Sequence, residues 1–428
     1  MSRPADDDAA VPTPGSTGTL RAFRHRDYTL IWLGALASNT GSWMQNLAVP
    51  YVVYQMTGSA LWVGLSTTAQ FLPALVGGPV GGHLADNRER RNLLALEMAV
   101  MAVLATALWW VWVSGHGSVG LILLLASAIA LMWGMQMPAW QSFMNDLVPR
   151  DDLVSAVSLN SLQYNAARSI GPAIAGLVIA AFGPGTAFAI NAASFVIVVI
   201  ALLLARTRSV VSATTTRFIA GFVEAVRYVP TQPGIGVVIA SVLVLGLLAT
   251  PVFGFTVVFA ESVFHVGPLG LGLLNAALGV GAVLAVPLVV RAKSGHGLEG
   301  SIRWGFLTQG VGFLAFGLAP GFVMGGVALV ALGLGFLLAI SSGHTAVQLI
   351  VAPTLRGRVM AVRLMVYVSA TTIGALLQGW LADTLGPRFV MVMSGVLLVV
   401  FGLLFLTATG RRLLSRVDDP EDTHYVPA

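Results

Sequence analysis

The stretches "IGPAIAGLVIAAFGP" (170–184) and "IGALLQGWLADTLGP" (373–387) align without a gap at an offset of 203 residues. The leading Ile-Gly, a second glycine and the closing Gly-Pro recur. Just upstream, "LVPRDDLVSAV" (147–157) parallels "IVAPTLRGRVMAV" (350–362). In each case a proline-containing loop leads into a long apolar helix. Two copies of one unit at matching places in two halves of a chain are the mark of an internally duplicated bundle.

The rest of the chain fits that frame. Of 428 residues, 56% are hydrophobic and 10% charged, a balance foreign to soluble domains. A bilayer crossing needs about 20 mostly apolar residues. Twelve segments qualify, at roughly 28–55, 61–85, 92–114, 119–147, 154–182, 186–206, 235–261, 268–292, 301–319, 322–350, 357–385 and 388–409, each boundary uncertain by a few residues. The expected fold is an all-α membrane protein with twelve transmembrane helices in two pseudo-symmetric six-helix bundles. With the N-terminus inside, 21 of the 23 basic residues fall beside cytoplasmic segments. That asymmetry orients both termini to the cytoplasm. The high pI therefore reflects membrane topology, and no nucleic acid is expected as partner.

The expected organisation is a disordered tail over 1–20, a first bundle over 21–206, a cytoplasmic linker over 207–232, a second bundle over 233–410 and a tail over 411–428. No cleavable signal is read in the first apolar stretch. Within the linker, "RFIAGFVEAVRYV" (217–229) places Phe218, Phe222, Ala225, Val226 and Val229 on one helical face, the pattern of a helix lying on a membrane surface.

Several kinds of chemistry are excluded. There is no cysteine, so neither disulfides nor thiol catalysis arise. No G-x-x-x-x-G-K-[ST] loop exists for a nucleotide, no H-E-x-x-H for a metal and no G-x-S-x-G for a nucleophile. The expectation is a protein that is not an enzyme and carries no cofactor or metal.

Charge is concentrated in "GGHLADNRERR" (81–91). Asp86 ends the second span, where a carboxylate opposes the dipole of its own helix and suits the N-terminus of another. The glycines at 77, 78, 81 and 82 would admit a close helix. The segment from Gly82 resembles motif A of the major facilitator superfamily: Gly82, Leu84, Ala85, Asp86, Arg90 and Arg91 match, while Asn87 and Glu89 depart from it. The resemblance implies a conformational latch of Gly82, Asp86, Arg90, Arg91 and Asp146. In it Asp86 meets the start of helix eleven near Gly357–Arg363, and an arginine pairs with Asp146. "ARSIGPAIAG" (167–176) resembles the antiporter motif of the drug–proton exporters of that superfamily, through Arg168, Gly171, Pro172 and Gly176, with Ala175 in place of a glycine. "FRHRDYTLIWLGALASNTGSWMQNLAVPYVVYQMTGSALWVGL" (23–65) is similar to the branch that holds enterobactin and macrolide exporters.

Polar residues inside the spans are the candidates for the work. Arginine at the centre of a helix costs at least ~2.5 kcal/mol unless it faces a cavity or a partner, and Arg168 is so placed. It either lines the cavity and draws an anionic or carbonyl-rich substrate, or bonds to carbonyls or to neighbours such as Asn39 or Gln70. The further cavity candidates are Asn39, Trp43, Asn46, Gln136, Trp140, Gln163, Asn275, His344 and Gln348. Proton-coupling candidates are Asp27, Glu97 and His344. Glu261 and Asp383 fall near the outer ends and read as water-facing.

The function expected is a secondary exporter, in the plasma membrane of a bacterium, that exchanges protons for small amphipathic molecules such as drugs or siderophores by alternating access. It is expected to act as a monomer in the lipid bilayer. The alternatives are an uptake symporter for a small metabolite and a membrane sensor or scaffold.

Overall fold

The computed structural model describes residues 20–207, 224–294 and 297–407, together with Gly410, Arg412 and Val417. Most of both tails lies outside the described residues, as does the first part of the linker segment, with Arg217, Phe218 and Phe222. From Glu224 the linker is helical, with Ala225 and Tyr228 buried. No strand occurs among the described residues.

The first half holds α1 (Arg26–Thr57), α2 (Ala60–Asn87), α3 (Arg90–Val113), α4 (Val119–Asp146), α5 (Leu153–Phe182) and α6 (Pro184–Leu204). The second holds α7 (Pro233–Val263), α8 (Gly267–Ser294), α9 (Leu298–Leu318), α10 (Phe322–Ile350), α11 (Pro353–Leu385) and α12 (Pro387–Leu404). Among the described residues, ten of these are long and apolar enough to cross a membrane. The other two are α1 and α9. Helix α1 carries Asn39, Thr40, Ser42, Gln45 and Asn46 at its middle, and α9 carries Arg303, Gln309 and five glycines.

The duplication is visible in the turns. Helices α5 and α11 both end on a glycine with positive φ, Gly183 at +80° and Gly386 at +91°, where a side chain would be strained. Both are followed by a proline at the first position of the next helix, Pro184 and Pro387, where the missing N–H is no loss. The repeated Gly-Pro is therefore a corner built twice.

Each half packs on itself through matching pairs: α2 on α4 and α8 on α10, α3 on α6 and α9 on α12. Two seams join the halves, α2 on α11 and α5 on α8. The repeated glycine sits at both. A Cβ on Gly176 would lie 2.5 Å from Cα of Gly272 on α8, and one on Gly379 would lie 2.7 Å from the carbonyl of Ala60 on α2. Gly176→Val is therefore expected to push α5 off α8 and to cost about 1–3 kcal/mol through overpacking. Gly120→Val, where a Cβ meets nothing within 4 Å, should leave the thermal midpoint unchanged in the same melting series.

Helix α7 is not regular. Two π turns, Leu245–Ala249 and Phe259–Val263, widen it. The freed carbonyls of Leu247 and Leu248 accept hydrogen bonds from Nε2 of Gln378 at 2.6 and 3.2 Å, so the widened turn is satisfied from α11.

The two seams close at the end remote from the arginines. There the carboxylate of Asp383, on α11, accepts from the first residues of α2: the hydroxyl of Ser59 and the backbone N–H groups of Ala60 (2.7 Å) and Leu61 (3.1 Å). Beside it, Nε2 of Gln55 on α1 donates to Glu261 on α7 at 2.9 Å. Both acids read as water-facing in the sequence. The structure uses both to tie one half to the other. At the arginine-bearing end the halves stand apart, and a Cβ on Gly78, Gly82 or Gly357 would meet nothing within 4 Å.

Candidate functional site

Between the halves lies a cavity of about 460 Å³. Its walls come from α1, α2 and α5 on one side and α7, α8 and α10 on the other. Arg168 is the one charged residue in its lining, and it stands halfway along α5. Its guanidinium lies 5.5 Å from the ring centre of Trp43 and 5.8 Å from each of those of Phe253 and Phe336, within the range of cation–π attraction. Phe253 and Phe336 pack edge to face at 5.7 Å, and Trp43 packs on Tyr164 at 6.2 Å. Among the described residues Arg168 has no ion pair and no hydrogen bond to Asn39 or Gln70. The guanidinium lies in the wall of the cavity. The aromatic partners on α7 and α10 carry no signal in sequence, where a phenylalanine in an apolar run reads as core.

The motif around Arg168 faces two ways. Gly171 presses on Trp43 and the carbonyl of Thr40 in α1, whereas Gly176 meets α8 of the other half. Pro172 lines the cavity between them.

The polar candidates fall into separate groups. Trp43, Asn46 and Asn275 join Arg168 in the central cavity, although Asn275 is already bonded, donating to Thr256 and to the carbonyl of Leu271 at 3.0 Å each. Asn39, Gln136 and Trp140 instead line a second chamber of about 240 Å³ inside the first half. Gln163 is buried in α5, 1% exposed, and lines neither space. His344 and Gln348 bond to one another at 3.0 Å on an exposed stretch of α10, off the cavity. A buried polar link absent from the sequence expectations joins α6 to α1, where Asn191 donates to Gln45 at 2.8 Å.

The acidic candidates also separate. Asp27 caps the end of α6, accepting from the backbone N–H groups of Arg206 (2.8 Å) and Thr207 (2.9 Å) and from the Thr207 hydroxyl (2.9 Å). Glu97 is buried in α3, 3% exposed, and among the described residues neither carboxyl oxygen has a hydrogen-bond partner.

At the arginine-bearing end Arg90 pairs with Asp146 at 2.9 Å, and Arg91 donates to the carbonyl of Ala205 at 2.7 Å. Among the described residues Asp86 has no hydrogen bond or ion pair, to α11 or elsewhere. The glycine face divides: Gly77 and Gly81 lie against the carbonyls of Leu131 and Met135 in α4, while Gly78 and Gly82 face open space. The two departures from the motif have local tasks. Glu89 caps α3 by accepting from the N–H groups of Arg91 (3.3 Å) and Asn92 (2.9 Å), and Asn87 closes α2 on the carbonyl of His83 at 2.8 Å.

A family model described as transmembrane secretion effector, of the major facilitator (MFS) type, matches residues 17–424. The chain belongs to this family. An MFS-type transporter of Bacillus subtilis, YfiS, is 27% identical over 391 residues, covering 86% of this chain and 90% of that protein. The enterobactin exporter EntS of Citrobacter koseri is 27% identical, with 90% and 92% covered, and that of Salmonella typhimurium 28% identical, with 90% and 93% covered. Among solved structures, the nucleoside transporter NupG superposes with a TM-score of 0.73 at 15% identity, over 89% of this chain and 98% of its own. A bacterial homologue of the human lysosomal transporter Spinster, inward-facing and unoccupied, gives 0.72 at 15% identity, over 94% and 99%. These structural neighbours share the major facilitator fold. The family and its relatives indicate a transporter with a small-molecule substrate, embedded in a membrane, rather than an enzyme.

Proposed function

We propose that this transporter is a secondary exporter that moves small amphipathic organic molecules, such as drugs or siderophores, out of the cell by alternating access in exchange for protons. The observation that carries the reading is Arg168. It is the one charge in a cavity walled by aromatic rings from both halves, and it is placed to draw an acceptor-rich or anionic cargo while the rings take the apolar part. The enterobactin exporters among the relatives favour outward movement. With the arginine-bearing end and both termini in the cytoplasm, as the distribution of basic residues supports, the described state faces inward, ready to load.

Glu97 is the proposed proton carrier. Exposing a carboxyl's charge to water and burying it differ greatly in free energy, so a change in its surroundings between two conformations changes its hold on a proton. Glu97→Gln is expected to keep the fold and to abolish the dependence of transport on a pH gradient across proteoliposomes. Retention of that dependence would reassign the coupling.

The overall reading is tested by growth and accumulation with a panel of toxic compounds and siderophores, in cells with and without the gene. An exporter lowers accumulation, and a protonophore removes the effect. Raised accumulation would show an uptake symporter instead.

A further inference from the structure

The chamber inside the first half differs in kind from the central cavity. It lies between α1, α3, α4, α5 and α6, and Ser161 and Asn165 line both spaces. A small chamber of about 70 Å³, which shares Asn39, Trp43, Gln70 and Tyr164 with its neighbours, also adjoins the two. Among the described residues, the lining of the larger chamber carries no charge. Its polar groups are amides and hydroxyls, and its flat walls are Trp133 and Trp140. One of the amides belongs to Gln136, which is 8% exposed and whose Oε1 has no hydrogen-bond partner among the described residues. A buried amide oxygen left unbonded gives up its bonds to water without replacement, and such groups in native proteins call for an explanation.

Size and polarity together define an occupant. Cavities of about 150 Å³ hold benzene, so about 240 Å³ admits a ring bearing one or two substituents. With no counter-charge in the wall, an ion entering would lose its water without recompense. Amides both give and take hydrogen bonds, so they suit a group that does the same.

We propose that this chamber is a second cargo subsite, which takes a neutral, ring-sized group bearing both hydrogen-bond donors and acceptors, while the Arg168 cavity takes the acceptor-rich or anionic part of the same molecule. The cargo is thus a two-part compound, held across the opening at Ser161 and Asn165. This rests on the central cavity being the cargo site, and its test separates the two claims.

The test uses the purified full-length chain in lipid nanodiscs and two isosteric probes, 4-fluorobenzamide and 4-fluorobenzoate, followed by fluorine NMR line broadening. The neutral amide is expected to broaden, and Gln136→Leu to weaken its binding about fivefold, the factor that corresponds to one neutral hydrogen bond of about 1 kcal/mol. Gln141→Leu, an exposed residue of the same wall, should weaken it too without a folding risk. The benzoate should respond to Arg168→Ala and to neither glutamine variant. Equal broadening of the benzamide by the parent and both glutamine variants, as lipid partitioning would give, overturns the second subsite. So does loss of both probes together in Gln141→Leu. A benzoate signal indifferent to Arg168→Ala removes the Arg168 reading and leaves the benzamide arm to decide this one.

Discussion

Arg168→Ala is expected to reduce transport at least tenfold while the protein still reaches the membrane at normal levels. The guanidinium touches three rings, Trp43 from one half and Phe253 and Phe336 from the other. A hydrogen bond from the guanidinium to an anionic or acceptor-rich cargo is worth about 1.5–3 kcal/mol, and 1.4 kcal/mol is a factor of ten. The fold should not suffer, because the guanidinium faces the cavity and makes no ion pair among the described residues, so alanine leaves no buried partner unpaired. Arg168→Lys keeps the charge and loses the planar stacking, so it should fall between. Accumulation assays beside a quantitative membrane blot decide the matter. Normal transport by Arg168→Ala would remove the arginine from the cargo site.

Asp383→Asn is expected to shift the balance of states toward opening at the remote end. The carboxylate holds three donors at the start of α2, where a helix N-terminus favours negative charge. Even discounted for its exposed position, a loss of about 2 kcal/mol moves a two-state balance about thirtyfold. The chain has no cysteine, so a single Thr67→Cys in the cavity wall gives a clean reporter. An impermeant thiol reagent applied from the remote side should label it about thirty times faster in the Asp383→Asn background. Asp86→Asn should do the reverse or nothing in this assay, since Asp86 has no partner in the described state and its proposed latch belongs to the opposite one. Equal labelling rates with and without Asp383 would leave the carboxylate no part in the switch.

The repeat around 170–184 and 373–387 was legible because a Gly-Pro corner and a seam glycine leave the same letters in both copies. Membrane character was legible because crossing a bilayer demands long apolar runs. Contacts between the halves were not. Nothing in the sequence distinguishes Phe253 and Phe336 from other buried phenylalanines, and only the meeting of α7 and α10 with α5 gives them a role. Asp383 does face water, as its place at a helix end suggested; its bonds to α2 were not legible, because nothing in sequence says that another helix begins beside it. The glycines at 77, 78, 81 and 82 showed the limit of periodicity, which placed them on close-packing surfaces without saying that two would face α4 and two an open gap.

The pseudo-symmetry is broken at one telling place. The position in α5 that matches Asp383 is Ala180, so the seam of α5 with α8 has no such clasp. It has bare backbone against backbone at Gly176 and Gly272, with no side chain there to rearrange. The two edges of the closed mouth should therefore part unequally. If the chain exports as proposed, the carboxylate-held edge is expected to swing like a door when its clasp is released, with the glycine edge as the jamb on which it turns and cargo leaving along the α2 side.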